Sequence, residues 1–290
     1  MKCIAIDMDG TLVNSEQVVS NENADAIRAA QRAGIEVVIA TGRSYAEAKY
    51  VLEEAGIDTH IICVNGSEVR TPKGETLSSV GLDATHIKQV QQVFQQHDLY
   101  FEVYTNEGTY SNDYDKALAV VMDIYMSASL KNDYEKLLEG AKERFEKGNV
   151  KLIDEYDVLY NDDRISIYKL LAFSFDEEKL EKAKVDLADL EGIAVSSSGK
   201  ENIEVNDFRA QKGLALEQYV NERNIDLKDT MAIGDNYNDV SMFKKAGKAV
   251  AMGNAPDGVK VYSDEVTGTN DEDGVAQAVL AVLSTHMSKK

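Results

Sequence analysis

The sequence predicts an α/β fold, a parallel sheet core interrupted by an inserted α+β domain. Three observations lead there. Short apolar runs at 3–6, 35–40, 60–64 and 230–233 each break off into polar, flexible residues. Helical patterns separate the first three at the pace of strand–helix–strand units, whose crossovers are right-handed and build parallel sheets. The rhythm changes near Asp83 and resumes near residue 200, so residues 1–82 and 200–290 read as the core and 83–199 as the insert.

The first run organises the rest. Cys3, Ile4, Ala5 and Ile6 give way to Asp7-Met8-Asp9-Gly10-Thr11. This is a buried strand whose C-terminal end delivers acids where open α/β sheets place their sites. Residues i and i+2 of a strand share a face, so the spacing predicts that Asp7 and Asp9 converge on one small volume. Close carboxylates repel unless a cation lies between them. Gly10 allows the turn that follows. Calcium loops share Asp-x-Asp-Gly, but Leu12-Val13-Asn14 do not supply the remaining oxygen ligands.

The other elements follow in order. Ser20 opens a helix with the stripe Ala24, Ile27, Ala30 and Ala33, and Gly34 stops it. The second strand ends in Thr41-Gly42-Arg43, and Ser44 with Glu47 makes a capping box for the next helix. The third strand runs into Asn65-Gly66, and residues 68–79 read as a hairpin around Pro72-Lys73-Gly74. In the insert, a helix through Ile87, Val90 and Phe94 precedes strands at 99–104 and 108–111. Helical stretches are expected near 116–126 and 134–147. A strand at 168–175 then feeds an amphipathic helix capped by Asp176. Residues 196–199 read as a linker, and 202–205 as a short core strand. Lys212 opens a helix, and the strand at 230–233 ends in Gly234-Asp235-Asn236-Tyr237-Asn238-Asp239. A helix at 240–245, a strand at 248–252 and a helix at 274–283 complete the core, with a disordered tail expected from Ser284.

Composition narrows the partners. The chain has 290 residues and a formal charge of −20, which disfavours nucleic-acid phosphate as a partner. No window has the length and apolarity of a membrane span, and no signal segment opens the chain. Cys3 and Cys63 lie in apolar runs and read as buried free thiols, which points to a reducing cytoplasm. No obligate protein partner is indicated.

Asp7, Asp9, Thr41, Lys212, Asp235 and Asp239 all fall at strand ends or helix starts. Several acids with one lysine and one hydroxyl can bind a magnesium ion and a phosphoryl group together. At Asp7-Met8-Asp9-Gly10-Thr11, Thr41-Gly42-Arg43, Lys212-Gly213 and Gly234-Asp235-Asn236-Tyr237-Asn238-Asp239 the chain resembles the haloacid dehalogenase superfamily of phosphatases. An insert between the second and third motifs, together with Asn65-Gly66, resembles the Cof-type branch. That branch carries a Pro/Gly-rich loop before the motif lysine, where this chain reads Asn206-Asp207-Phe208-Arg209-Ala210-Gln211.

The resemblance implies a Rossmann-like core, a cap at 83–199 that selects the substrate, and Mg²⁺ as cofactor. It implies Asp7 as nucleophile, Asp9 as proton donor and acceptor, and Lys212 and Thr41 as further catalytic groups. Asp7, the main-chain carbonyl of Asp9, and Asp235 would hold the metal. Met8, Thr41, Gly42, Arg43, Asn65, Lys212 and Asn238 would bind phosphate or substrate, with Gly10 and Gly234 in support and Asp239 orienting Lys212 or a metal-bound water. Arg43 would pair with phosphate or with the cap. Tyr104, Tyr110, Tyr125 and Tyr168 would touch the substrate from the cap. The expected activity is hydrolysis of small phosphorylated metabolites: sugar phosphates, flavin-precursor or nucleotide-like monophosphates. A phosphomutase using the same aspartyl-phosphate and a non-catalytic metabolite-binding regulator are the alternatives.

Overall fold

The computed structural model describes residues 1–119, 122, 142, 145–146, 150–197 and 201–287. It divides into two compact units, Met1–Ser79 with Gln211–Lys290, and Val80–Ala210.

The first unit is built on an eight-stranded sheet of order β14-β13-β12-β1-β2-β3-β4-β5. Its strands are β1 (Cys3–Ile6), β2 (Glu36–Ala40), β3 (His60–Cys63), β4 (Glu68–Arg70), β5 (Thr76–Ser79), β12 (Thr230–Gly234), β13 (Lys248–Ala251) and β14 (Glu265–Val266). From β14 to β3 all pairs are parallel, and β4 and β5 add an antiparallel hairpin. Strand β1 lies between β12 and β2, with Ile6 beside both Ile233 and Ile39. The residues that follow β1, β2, β3 and β12 therefore emerge at one edge, where parallel sheets carry ligands. Helix Asn21–Arg32 is capped by Ser20 and buries Ala24, Ile27 and Ala30. The last helix runs Gly274–Met287 and so takes in the first part of the expected tail, whose last residues, 288–290, lie outside the described residues. Its start is tied down by Asn23, whose Oδ1 accepts from the Ala276 amide at 2.9 Å.

The second unit holds a six-stranded sheet of order β10-β11-β9-β6-β7-β8. Its strands are β6 (Tyr100–Thr105), β7 (Gly108–Ser111), β8 (Val150–Leu152), β9 (Ile167–Phe173), β10 (Ile193–Ser196) and β11 (Asn202–Asp207). Helices Ala84–Gln96 and Glu177–Ala188 supply Val90, Phe94, Leu180 and Leu187 to a core against Val103, Leu170, Ala172 and Val205. Strand β11 corrects the sequence reading, which gave 202–205 to the parallel core: it pairs antiparallel with β9 and β10. The reason is visible in Asn202-Ile203-Glu204-Val205-Asn206. Strict alternation marks a two-faced antiparallel strand, whereas a parallel core strand is apolar throughout. Most of the expected helical stretches at 116–126 and 134–147, with Tyr125, lie outside the described residues. Tyr104 and Tyr168 are buried and Tyr110 is half-buried.

Candidate active site

Strand β1 stops at Ile6, one residue before the first acid. Residues Met8–Leu12 then coil tightly, with Gly10 at φ 74°. Strand alternation therefore ends before Asp9, whose carboxylate takes a different partner from that of Asp7 while its charge still acts on Asp7. Asp7 joins Asp235 and Asp239 in a buried group whose ligand oxygens lie within 4.8 Å of one another. Asp9, partly exposed, turns to Arg43 instead, whose Nε and Nη2 reach its Oδ1 at 3.1 and 2.5 Å. Gly10 is required twice over. Its backbone is left-handed, and a Cβ there would sit 2.5 Å from Asp235 Oδ2.

Lys212 supplies the positive charge. Its Nζ donates to Asp7 Oδ1 at 2.5 Å and to Asp239 Oδ1 at 2.7 Å, with all three side chains buried. The helix it opens, Lys212–Glu222, approaches so closely that a Cβ on Gly213 would lie 2.1 Å from the Ser241 carbonyl oxygen. The Gly213 amide donates to Ser241 Oγ at 3.0 Å, which fixes the helix start. Asp239 serves two partners: Oδ1 accepts from Lys212, and Oδ2 accepts from the Asp235 and Asn236 amides at 2.9 and 3.0 Å.

Three acids against one lysine leave surplus negative charge in a dry place. Burial, then the Asp239 carboxylate, pushes Asp7 up to about 7. Burial, then Asp7, holds Asp235 well above the usual carboxylate range. For Lys212 burial works against the ammonium, but Asp239 and Asp7 outweigh it and hold the group above the ordinary lysine range. A hard divalent cation with oxygen ligands suits this donor set, because it would neutralise the surplus that the lysine leaves.

The remaining expected residues surround this group. Met8 and Thr41 are fully buried, and Thr41 Oγ1 accepts from the Arg43 amide at 3.1 Å. Gly42 is partly exposed between them. Asn65 sits in the left-handed region at φ 57° and its Oδ1 accepts from Asn238 Nδ2 at 3.3 Å. Asn238 Oδ1 is buried with no hydrogen-bond partner among the described residues. Gly234 ends β12 with its Cβ position filled by the Asp239 carboxyl group.

Two supporting side chains escaped sequence reasoning as site residues. Thr11 Oγ1 donates to Asp235 Oδ1 at 2.7 Å and orients it. Asn254 Nδ2 donates to the Gly10 carbonyl at 2.8 Å and braces the turn. Asn254 follows β13 through Met252-Gly253, so the strand-end signal used elsewhere would have pointed to it.

Residues 4–279 match the haloacid dehalogenase-like hydrolase family. The chain is 38% identical over 285 residues to the phosphatase YwpJ of Bacillus subtilis, covering 98% of this chain and 100% of that one. It is 40% identical over 285 residues to the 5-amino-6-(5-phospho-D-ribitylamino)uracil phosphatase YwtE of the same organism, covering 98% and 99%. A solved haloacid dehalogenase-like hydrolase from B. subtilis superimposes with a TM-score of 0.89 at 38% identity, over 96% of this chain and 99% of that one. The chain belongs to the haloacid dehalogenase-like hydrolase family and is a phosphatase.

Proposed function

We propose that the chain hydrolyses small phosphorylated metabolites through an aspartyl-phosphate on Asp7, with Mg²⁺ as cofactor. The observation that carries this reading is the buried Asp7–Lys212–Asp239 contact with Asp235 beside it. Asp7, Asp235 and the main-chain carbonyl of Asp9 would hold the cation, which when bound neutralises phosphate charge and so admits an anionic nucleophile. Asp7 attacks phosphorus as the bond to the leaving oxygen breaks, and Asp9 gives that oxygen a proton. Asp9 then takes a proton from water as the water oxygen bonds to phosphorus and the phosphorus–Asp7 bond breaks. Lys212 offsets charge on Asp7 and on the transferring group, and Asp239 keeps its ammonium in place. Thr41, Gly42 and Asn238 bind phosphate oxygens, with Met8, Arg43 and Asn65 lining the same place.

Residues 83–199 are assigned the choice of substrate, as a cap. The substrate class favoured is a phosphorylated sugar alcohol joined to a heterocycle. Two relatives, YwtE and YcsE at 40% and 32% identity, are named as phosphatases of 5-amino-6-(5-phospho-D-ribitylamino)uracil.

A phosphate-release screen over sugar phosphates, nucleoside monophosphates and ribityl phosphates, with Mg²⁺ or chelator, tests the reading. Steady phosphate release that needs Mg²⁺, and a phosphorylated Asp7 peptide after rapid quench, are expected. Turnover in chelator, or phosphate passed back to substrate without release, would sink it.

A further inference from the structure

After the Met8–Leu12 coil the chain makes a small hairpin. An antiparallel bridge joins Val13 to Val19, and the Asn14 amide donates to the Val18 carbonyl at 3.0 Å. Gln17 stands at its turn with φ 61°, a left-handed conformation that side chains other than glycine, asparagine and aspartate rarely adopt. Gln17 Oε1 accepts from Arg43 Nη2 at 2.7 Å, while its Nε2 is buried with no hydrogen-bond partner among the described residues. A strained backbone and an unsatisfied buried amide are two costs at one residue. Strain of this kind concentrates where the surroundings over-determine a functional geometry.

Arg43 joins Gln17 to Asp9. Its Nη2 lies between Gln17 Oε1 and Asp9 Oδ1, the latter at 2.5 Å. Its Nε is shared between Asp9 Oδ1 at 3.1 Å and Oδ2 at 3.0 Å. Oδ1 therefore takes the whole of an Nη2–H donor and a share of the Nε–H, while Oδ2 takes only the other share of the Nε–H. A carboxyl group that moves a proton needs one oxygen with spare acceptor capacity, and a bidentate guanidinium sets which way that oxygen faces.

We propose that Gln17 is a positioning residue for proton transfer. Through Arg43 it clamps Asp9 Oδ1 and leaves Oδ2 as the oxygen that gives and takes the proton, a role that rests on Asp9 being the acid/base group. In the first step the Oδ2–H bond breaks and the proton goes to the leaving oxygen as its bond to phosphorus breaks. In the second, Oδ2 takes a proton from water as the water oxygen bonds to phosphorus and Asp7 leaves.

The test uses Gln17→Leu, which removes the acceptor, and Gln17→Gly, which removes it and relieves the positive φ. Gln17→Glu keeps an acceptor and serves as rescue. Each is assayed with Mg²⁺ on an alkyl phosphate and on para-nitrophenyl phosphate, whose leaving group needs no proton. The Leu and Gly variants should lose about tenfold in kcat/KM on the alkyl phosphate and keep wild-type kcat/KM on the aryl phosphate. On the aryl phosphate they should give a phenolate burst, then turn over about tenfold more slowly, because hydrolysis of phospho-Asp7 still needs the base. Gln17→Glu should stay within about twofold of wild type, and Gln17→Leu should add nothing in an Arg43→Met background. Wild-type kinetics in both the Leu and Gly variants, equal loss of kcat/KM on both substrates, a Glu variant as slow as Leu, or a full further loss without Arg43 would each overturn the proposal. Asp9→Asn is run alongside. If it loses both kcat/KM values equally, the acid/base reading itself fails. If its loss is selective for the alkyl phosphate and the Gln17 variants show none, only the role of Gln17 falls.

Discussion

Replacing Asp7 by asparagine should make the metal-free protein more stable, and increasingly so as the pH rises. Burial, then Asp239, displaces the Asp7 carboxyl from 3.8 to about 7, with Lys212 pulling the other way. Between those values the folded chain holds a proton at Asp7 that the unfolded chain has released. Stability therefore falls as pH rises through this window, and the whole cost is felt above about pH 7. At 1.36 kcal/mol per pH unit the displacement corresponds to about 4 kcal/mol. Asparagine escapes that cost and its Oδ1 can still accept from the Lys212 ammonium, whose attraction is already contained in the displacement, so a net gain of up to about 4 kcal/mol is expected at pH 8. Urea unfolding in chelator at pH 5, 6.5 and 8 measures it. Mg²⁺ at a hundredfold excess over its Kd should stabilise wild type by about 2.7 kcal/mol and narrow the margin. A margin that is flat, or that shrinks as the pH rises, would refute the reasoning.

Three further outcomes can be checked. Lys212→Met should abolish phosphate release and cost about 3–5 kcal/mol in urea unfolding, because it strands buried acids without their counter-charge. Gly10→Ala should cost about 1–3 kcal/mol from the left-handed backbone and lower kcat by pressing on Asp235, with both read on the same preparation. In the second unit, Lys169 donates to Glu204 at 3.0 Å with its ammonium 4.2 Å from the centre of the Tyr104 ring, all buried. Lys169→Met should therefore cost about 3–5 kcal/mol, and Glu204→Leu added to it should recover much of the loss, as thermal unfolding of the single and double variants would show.

Much of the first unit was legible because its signals are local. Cys3–Ile6 and Thr230–Gly234 are continuous apolar runs that break off at acids, and parallel strands with both faces covered must read that way. Lys212 and Asp239 were legible as motif residues. Their mutual contact, which joins two helix starts through space, is one of the two roles that the resemblance implies for Asp239. The pairing of Asp9 with Arg43 was hidden because spacing assumes that the strand continues, and here it stops at Ile6. Short edge strands such as Val150–Leu152 and Ile193–Ser196 carry too little alternation to announce themselves. Gln17 carries no signal in the sequence, and its left-handed backbone, its buried amide and its bond to Arg43 become visible only in the fold.

The position of β1 between β2 and β12 has a consequence for synthesis in the cell. Its β2 partner leaves the ribosome within a few dozen residues, but its other neighbour is Thr230–Gly234. At 5–20 residues per second, roughly ten to forty seconds pass between the two. Throughout that interval one side of an entirely apolar strand has unmatched amides and carbonyls, and Asp7 has no lysine beside it. The newborn chain thus carries an open sheet edge that invites pairing with other chains, and closing it is the same event that assembles the carboxylate group. Chaperone dependence and the appearance of activity should therefore rise and fall together when residues 212–239 are delayed, for instance by slow codons placed just before Lys212.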